Sequence, residues 1–283
     1  MKIRLHKDAF FRDYNGIGYL FQQRDNRNLV LDKNGIVFFQ FITRKAKNIN
    51  NICKEIYNVY KNTDISVITN DFLTFMSKME KLKFVIIGKT EEEIKEKETK
   101  NAVSKGNEPP NKKTKILTNN YENDINTVLQ KHFDKYPQLI SLEIEITPNC
   151  NLKCIHCYLG CGSVHQTQYM QMTTYTICRV LNEFRNMGGL QVTFTGGEAM
   201  LNQDLPKILE YARKLDLSIT ILTNGVLLNK EILTSIIENN IAKVQVSLYS
   251  MQSKVHNFIT QLPNSFQQTK NNIEELIKNN HSV

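Results

Sequence analysis

The sequence predicts an α/β protein, a partial (β/α) barrel preceded by a small α+β domain of winged-helix outline. Three observations carry this. Strand-like runs at 142–146, 191–195, 217–222 and 242–248 alternate with amphipathic helical stretches at 174–187, 205–215, 230–239 and 266–279, the rhythm of βαβ units around a parallel sheet. Residues 1–88 instead read as a hairpin followed by three helices. Between the two lies an abrupt change of composition.

In the first part, Ile17-Gly18-Tyr19-Leu20-Phe21 and Asn28-Leu29-Val30-Leu31 read as strands, with the polar Arg24-Asp25-Asn26-Arg27 turning between them. Lys33-Asn34-Gly35 marks the next turn, and helices are expected over 36–42 and 49–60. The second of these repeats apolar residues at Ile49, Ile52, Cys53, Ile56, Tyr57 and Tyr60, a helical spacing. Asn70 or Asp71 is the expected cap of a third helix bearing Phe72, Leu73, Phe75, Met76, Met79 and Leu82. A strand at 84–87 closes the unit. Residues 89–117 hold a run of Glu and Lys and then Gly106-Asn107-Glu108-Pro109-Pro110, with little to bury, so they are expected to form a charged flexible linker, helical at most at its start. The expected domains are therefore 1–88, the linker 89–117, and a larger α/β core at 118–283.

The chain has 283 residues, 41% hydrophobic, enough for a buried core. No apolar run is long enough to span a bilayer, and the charges in Met1-Lys2-Ile3-Arg4-Leu5-His6-Lys7-Asp8 do not suit a signal peptide; the expected location is the cytoplasm, without a membrane partner. A net charge of +8 favours acidic partners, yet the lysines are scattered and no aromatic–basic stripe or zinc-finger spacing is present, so nucleic acid is not expected as a partner. Of the 6 cysteines, Cys53 and Cys178 stand alone in apolar segments, whereas Cys150, Cys154, Cys157 and Cys161 cluster. In a reducing compartment such a cluster reads as a metal or redox site.

The cluster follows the first barrel strand as Thr147-Pro148-Asn149-Cys150-Asn151-Leu152-Lys153-Cys154-Ile155-His156-Cys157-Tyr158, spaced C-x3-C-x2-C. Three thiolates can hold three irons of a four-iron cluster and leave the fourth iron open to a small molecule. Zinc completed by Cys161 with His165 or His156, and a thioredoxin-like pair at Cys154 and Cys157, are the rival readings. The latter leaves Cys150 unexplained. Farther on, Gly196-Gly197-Glu198, Asn224 and Ser247 fall at the ends of the next strands, where α/β folds collect their chemistry.

The cysteine spacing followed by an aromatic residue, together with Thr195-Gly196-Gly197-Glu198, resembles the radical S-adenosylmethionine enzymes. The resemblance implies a barrel of that type, a [4Fe-4S] cluster on Cys150, Cys154 and Cys157, and S-adenosylmethionine on its open iron. It also implies cofactor contacts from Gly196, Gly197 and Glu198, the two glycines letting backbone carbonyls approach the ligand and the carboxylate pairing with an ammonium. Ser247, Asn224 and Tyr158 are carried over as further cofactor contacts; a helix cap for Ser247 and a turn for Asn224 remain open alternatives. His256-Asn257-Phe258-Ile259-Thr260 is similar to a family segment but departs from it at Asn257 and Gln261, and is given no catalytic role.

The first domain resembles a RiPP recognition element, the PqqD-like module that captures the leader of a ribosomally made peptide by strand addition. Together the two resemblances imply a radical peptide maturase of the SPASM-type family, forming thioether or carbon–carbon crosslinks. Its partners would be a precursor peptide and an electron donor such as flavodoxin or ferredoxin. Two alternatives stand beside it: a radical enzyme acting on a small molecule or protein side chain, and a non-catalytic leader-binding protein. The family barrel has six strands, whereas four are read here. The expectation is therefore a barrel truncated after its fourth strand–helix unit, without the cysteine-rich C-terminal extension, with an open edge after 242–248 prone to aggregation and little turnover by this polypeptide alone.

Overall fold

The computed structural model describes residues 1–61, 63–103, 125–158, 171–279 and 281–283, and the chain divides into two compact units, Met1–Gln138 and Leu139–Val283.

The first unit holds β1 (Lys2–Leu5), β2 (Ala9–Tyr14), β3 (Ile17–Gln22), β4 (Arg27–Leu31), α1 (Lys33–Gln40), β5 (Lys47–Asn48), α2 (Ile49–Val59), α3 (Ile65–Lys81), β6 (Val85–Gly88), α4 (Glu91–Val103) and α5 (Ile125–Lys135). These form two antiparallel three-stranded sheets, ordered β2-β3-β4 and β5-β1-β6. The β2–β3 hairpin, unforeseen from the sequence, turns on Asn15 and Gly16, whose φ values are 52° and 89°. Both central residues of a type I′ turn need positive φ, and Asn-Gly tolerates it best. Helix α3 starts a turn and a half before the expected cap: Asp64 accepts from Ser66 N at 2.7 Å, and Ile68 extends the buried stripe of Phe72, Met76 and Met79 toward the N-terminus. Asn70 and Asp71 therefore lie inside the helix. Phe72 and Met76 are fully enclosed, each burial contributing about 1.5–3 kcal/mol.

The expected linker also differs. Residues 91–103 are helix α4, which belongs to the first unit. Ile94 is buried, Glu98 accepts from Arg4 Nη2 at 2.8 Å and Lys7 N at 3.0 Å, and Lys97 Nζ donates to Ile87 O. One apolar residue and two well-placed charges dock a helix that composition alone reads as solvated. Helix α5, assigned from sequence to the catalytic core, also belongs here: Phe133 packs edge-on against Tyr14 with centroids 5.5 Å apart, and His132 Nε2 meets Tyr14 O at 2.7 Å. The Gly-Pro part of the linker, 104–117, lies outside the described residues.

The second unit holds β7 (Ser141–Glu145), α6 (Thr174–Asn186), β8 (Gln191–Thr195), α7 (Leu205–Lys214), β9 (Ser218–Thr223), α8 (Lys230–Glu238), β10 (Lys243–Val246), α9 (Ser253–Thr260) and α10 (Ser265–Lys278). Among the described residues its sheet is parallel with order β10-β9-β8-β7. Strands adjacent in sequence are adjacent in space, the order of a (β/α) barrel rather than of a doubly wound sheet. Val192, Phe194, Ile219, Ile221 and Val244 form one core with Leu181, Phe184, Ile208, Leu209 and Ile236 of the helices. At the expected open edge, the β10 residue Val244 donates its N–H to Ser282 O at 3.0 Å, so chain emerging from α10 already covers part of it. The other edge, β7, exposes Glu143 and Glu145, charges that discourage strand pairing.

Candidate radical-cofactor site

The carboxyl ends of β7 to β10 carry the predicted motifs onto one rim, and backbone hydrogen bonds lock them together. Beyond β7, Gly197 N donates to Thr147 O at 2.9 Å and Glu198 N to Asn149 O at 2.8 Å. This leaves no room for side chains. Gly196 has φ of 133°, and a Cβ there would collide with Thr147 O; one on Gly197 would meet Asn149 O and come within 2.8 Å of Pro148 O. The two glycines thus serve first to let the β8 exit lie against the start of the cysteine loop.

Glu198 is 2% exposed. Its Oε1 accepts from Met200 N at 2.9 Å and Thr223 Oγ1 at 2.7 Å, and its Oε2 from Asn224 N at 2.7 Å. Burial raises its pKa, and the three donors work against that rise. The carboxylate, read from sequence as a partner for an ammonium, is in the structure a tie between the ends of β8 and β9. Asn224 continues the chain of contacts: its Nδ2 donates to Asn151 Oδ1 at 2.8 Å and lies 3.9 Å from Cys150 Sγ.

The far side of the cysteine loop rests on α9. Lys153 N donates to Thr260 O at 3.2 Å and Ile155 N to Ile259 O at 3.0 Å, giving partners to carbonyls that a helix C-terminus otherwise leaves unmatched. Thr260 is fully buried, its hydroxyl bonded to His256 O and Ser265 Oγ. The His256–Thr260 segment, given no role from sequence, is therefore the shelf beneath the cysteines. Nothing local in the sequence signals this, because the contact is between carbonyls and N–H groups more than 100 residues apart. Ser247 joins the rim through its N–H, bonded to Thr223 O at 3.0 Å. Tyr158 stands apart at 86% exposure. Cys161 and His165 lie outside the described residues.

Burial pushes the Cys150 thiol up, and Glu198, Cys154 and Cys157 push it further; Cys154 is raised by burial and by Cys157. Such thiols ionise when a metal supplies the opposing charge. Among the described residues no three His, Cys, Asp or Glu side chains converge on a single ion. A cubane instead takes one thiolate per iron, so three thiols spread along one supported loop fit a cluster as a donor set.

Residues 144–283 match the family model of the radical SAM superfamily. The second unit is a radical SAM domain, of a family that uses a [4Fe-4S] cluster and S-adenosylmethionine. The antilisterial bacteriocin subtilosin biosynthesis protein AlbA of Bacillus subtilis (strain 168) is 32% identical over 157 residues, covering 53% of this chain and 33% of that protein. The Fe-coproporphyrin III synthase of Methanosarcina barkeri is 31% identical over 121 residues, 43% of this chain and 29% of its own length. This chain thus spans well under half of either relative. Among solved structures, Streptococcus suis SuiB bound to the precursor peptide SuiA has a similar fold, with a TM-score of 0.53 at 18% identity, covering 97% of this chain and 54% of SuiB. Among the described residues no helix is long and apolar enough to cross a membrane.

Proposed function

We propose that this chain serves a radical peptide maturase activity, in which Cys150, Cys154 and Cys157 ligate the cluster and the β8–β10 rim holds S-adenosylmethionine. The observation that carries the reading is the shared rim: the cysteine loop, Gly196-Gly197-Glu198, Asn224 and Ser247 meet at the carboxyl ends of adjacent parallel strands. When bound, the cluster and S-adenosylmethionine supply one-electron cleavage of the sulfonium and a carbon radical that abstracts hydrogen from the substrate. The Gly196–Gly197 backbone would receive the methionine ammonium, with Glu198 holding the ends of β8 and β9 together, and Ser247 and Asn224 would contact the ribose or carboxylate. Tyr158, exposed beside Cys157, covers the cofactor from the loop. A flavodoxin or ferredoxin supplies the electron, in the cytoplasm.

A precursor peptide as substrate is supported by the likeness to AlbA and by the fold shared with SuiB along nearly the whole chain. The first unit then acts as the PqqD-like leader-binding element, offering the edges of its antiparallel sheets to an extended peptide. The likeness to the Fe-coproporphyrin III synthase favours a second reading, a small-molecule substrate. Anaerobic reconstitution should load about four irons per chain, and Cys154→Ala should lose them; a variant that keeps the cluster spectrum refutes the ligand assignment. To choose between substrates, fluorescence anisotropy with a labelled peptide encoded next to the gene is the measurement. Absence of saturable binding to the intact chain would reject the peptide reading.

A further inference from the structure

We propose that Asn224 is a positioning residue for the cluster: its carboxamide holds Cys150 in the ligand position, and an N–H aimed at the Cys150 sulfur makes the iron centre easier to reduce. The inference rests on the assignment of Cys150 as a ligand, made above. Asn224 directly follows β9. Its Oδ1 accepts from Val226 N at 3.0 Å, which orients the amide, and its Nδ2 donates to Asn151 Oδ1 at 2.8 Å and to Cys150 Sγ at 3.9 Å. Both N–H groups of the amide are therefore engaged by the cysteine loop, and one lone pair of Oδ1 is left for a cofactor. Leu152 N reaches the same sulfur at 3.4 Å, so two donors converge on Cys150.

The turn that presents Asn224 is itself held by its surroundings. Its N–H is the one bonded to Glu198 Oε2. From α10, Thr269 Oγ1 donates to Asn224 O at 3.0 Å, and Asn272 Nδ2 donates to Gly225 O at 2.8 Å and to Val226 O at 3.2 Å. Gly225 has φ of 74°, and a Cβ there would come within 2.7 Å of Val246 Cγ1 on β10, a position that favours glycine. The aim of the carboxamide is thus set by the exit of β8, by β10 and by α10, none of which carries a cysteine of the loop.

A donor at a ligating sulfur stabilises the more electron-rich, reduced cluster. In Asn224→Ser the hydroxyl still accepts from Val226 N within the turn but is too short to reach Asn151 or Cys150. The test is a potentiometric EPR titration of the reconstituted chain without S-adenosylmethionine, with iron and sulfide content measured alongside. The expected result is parent iron content and a reduced-to-oxidised ratio about threefold lower at fixed applied potential, equivalent to about 28 mV for a one-electron couple. A residue that merely braced the fold would leave the potential of a loaded chain in place. A loaded Asn224→Ser chain with the parent potential therefore overturns the inference while leaving the cluster reading intact. A parent chain that takes up no cluster overturns the ligand assignment, and the inference with it. If Asn224→Ser takes up no iron, the titration passes to Asn151→Ala, which cuts the anchor at 2.8 Å and leaves Asn224 in place: a downward shift supports the inference, and the parent potential overturns it. Should that chain also stay empty, a metal-free urea midpoint equal to the parent's supports the positioning role, and a lower one overturns it.

Discussion

Glu198→Gln preserves side-chain size and removes one acceptor from a tie between strand ends that is 2% exposed. Gln best keeps its oxygen at the Oε1 position, where Met200 N and Thr223 Oγ1 both donate, which turns its amide nitrogen toward Asn224 N, formerly 2.7 Å from Oε2. Donor then faces donor. The loss of a hydrogen bond to a charged acceptor costs about 1.5–3 kcal/mol, and an unpaired buried N–H about 1–3 kcal/mol more. Relief of carboxylate burial, the cause of the raised pKa of Glu198, returns part of this. A net destabilisation of about 3 kcal/mol is expected. Urea unfolding near neutral pH, followed by circular dichroism, should show the transition of the second unit moving down by roughly 1–3 M, given slopes of about 1–3 kcal/mol per molar urea. A midpoint within roughly 0.3 M of the parent would refute the tie.

Gly197→Ala pushes a methyl onto the carbonyls of Pro148 and Asn149, so iron uptake should fall toward that of Cys154→Ala; parent-level iron content would show that the loop yields. Glu98→Ala removes the acceptor for Arg4 and Lys7 N, and amide hydrogen exchange across 91–99 should rise by about tenfold or more, the factor equivalent to losing about 1.4 kcal/mol of local protection. His6 is 4% exposed, and burial lowers its pKa while Asp8 partly opposes this. The unfolded chain therefore binds the proton first. The stabilisation is whole above the ordinary His value of about 6.5 and drains away as pH falls from there toward the folded-state pKa. Urea midpoints measured between these limits should decline more steeply for the parent than for His6→Gln, and equal slopes would remove His6 from the account.

The second unit was largely legible because βα repeats carry two periodicities at once, and its four strands and four of its helices fall within a few residues of the expected places. The exception is α9. Its helix-entry residue Gln252 makes no side-chain cap and its buried positions are His256 and Thr260, so no apolar stripe announces it. In the first unit, Asn15-Gly16 between Tyr14 and Ile17 was a usable hairpin signal, whereas α4 hangs on Ile94 and on the partners Arg4 and Lys7, in and just after β1, more than 85 residues away from Glu98. The cysteines and glycines of the site were readable because spacing and residue type carry their chemistry. The enclosure of Glu198 was not, since it depends on donors brought in from the end of another strand.

The cysteine loop is gripped by main-chain bonds at both ends, from Gly197 and Glu198 on one side and from Thr260 and Ile259 on the other, and none of these bonds involves a sulfur atom. Residues 147–155 are consequently held by bonds that do not run through the sulfur atoms. With a cluster on the cysteines, as proposed above, loss of the irons would leave these main-chain bonds in place, and reloading would call for reduced thiols, iron and sulfide. On that reading, damage to the reagent would be separate from damage to the scaffold.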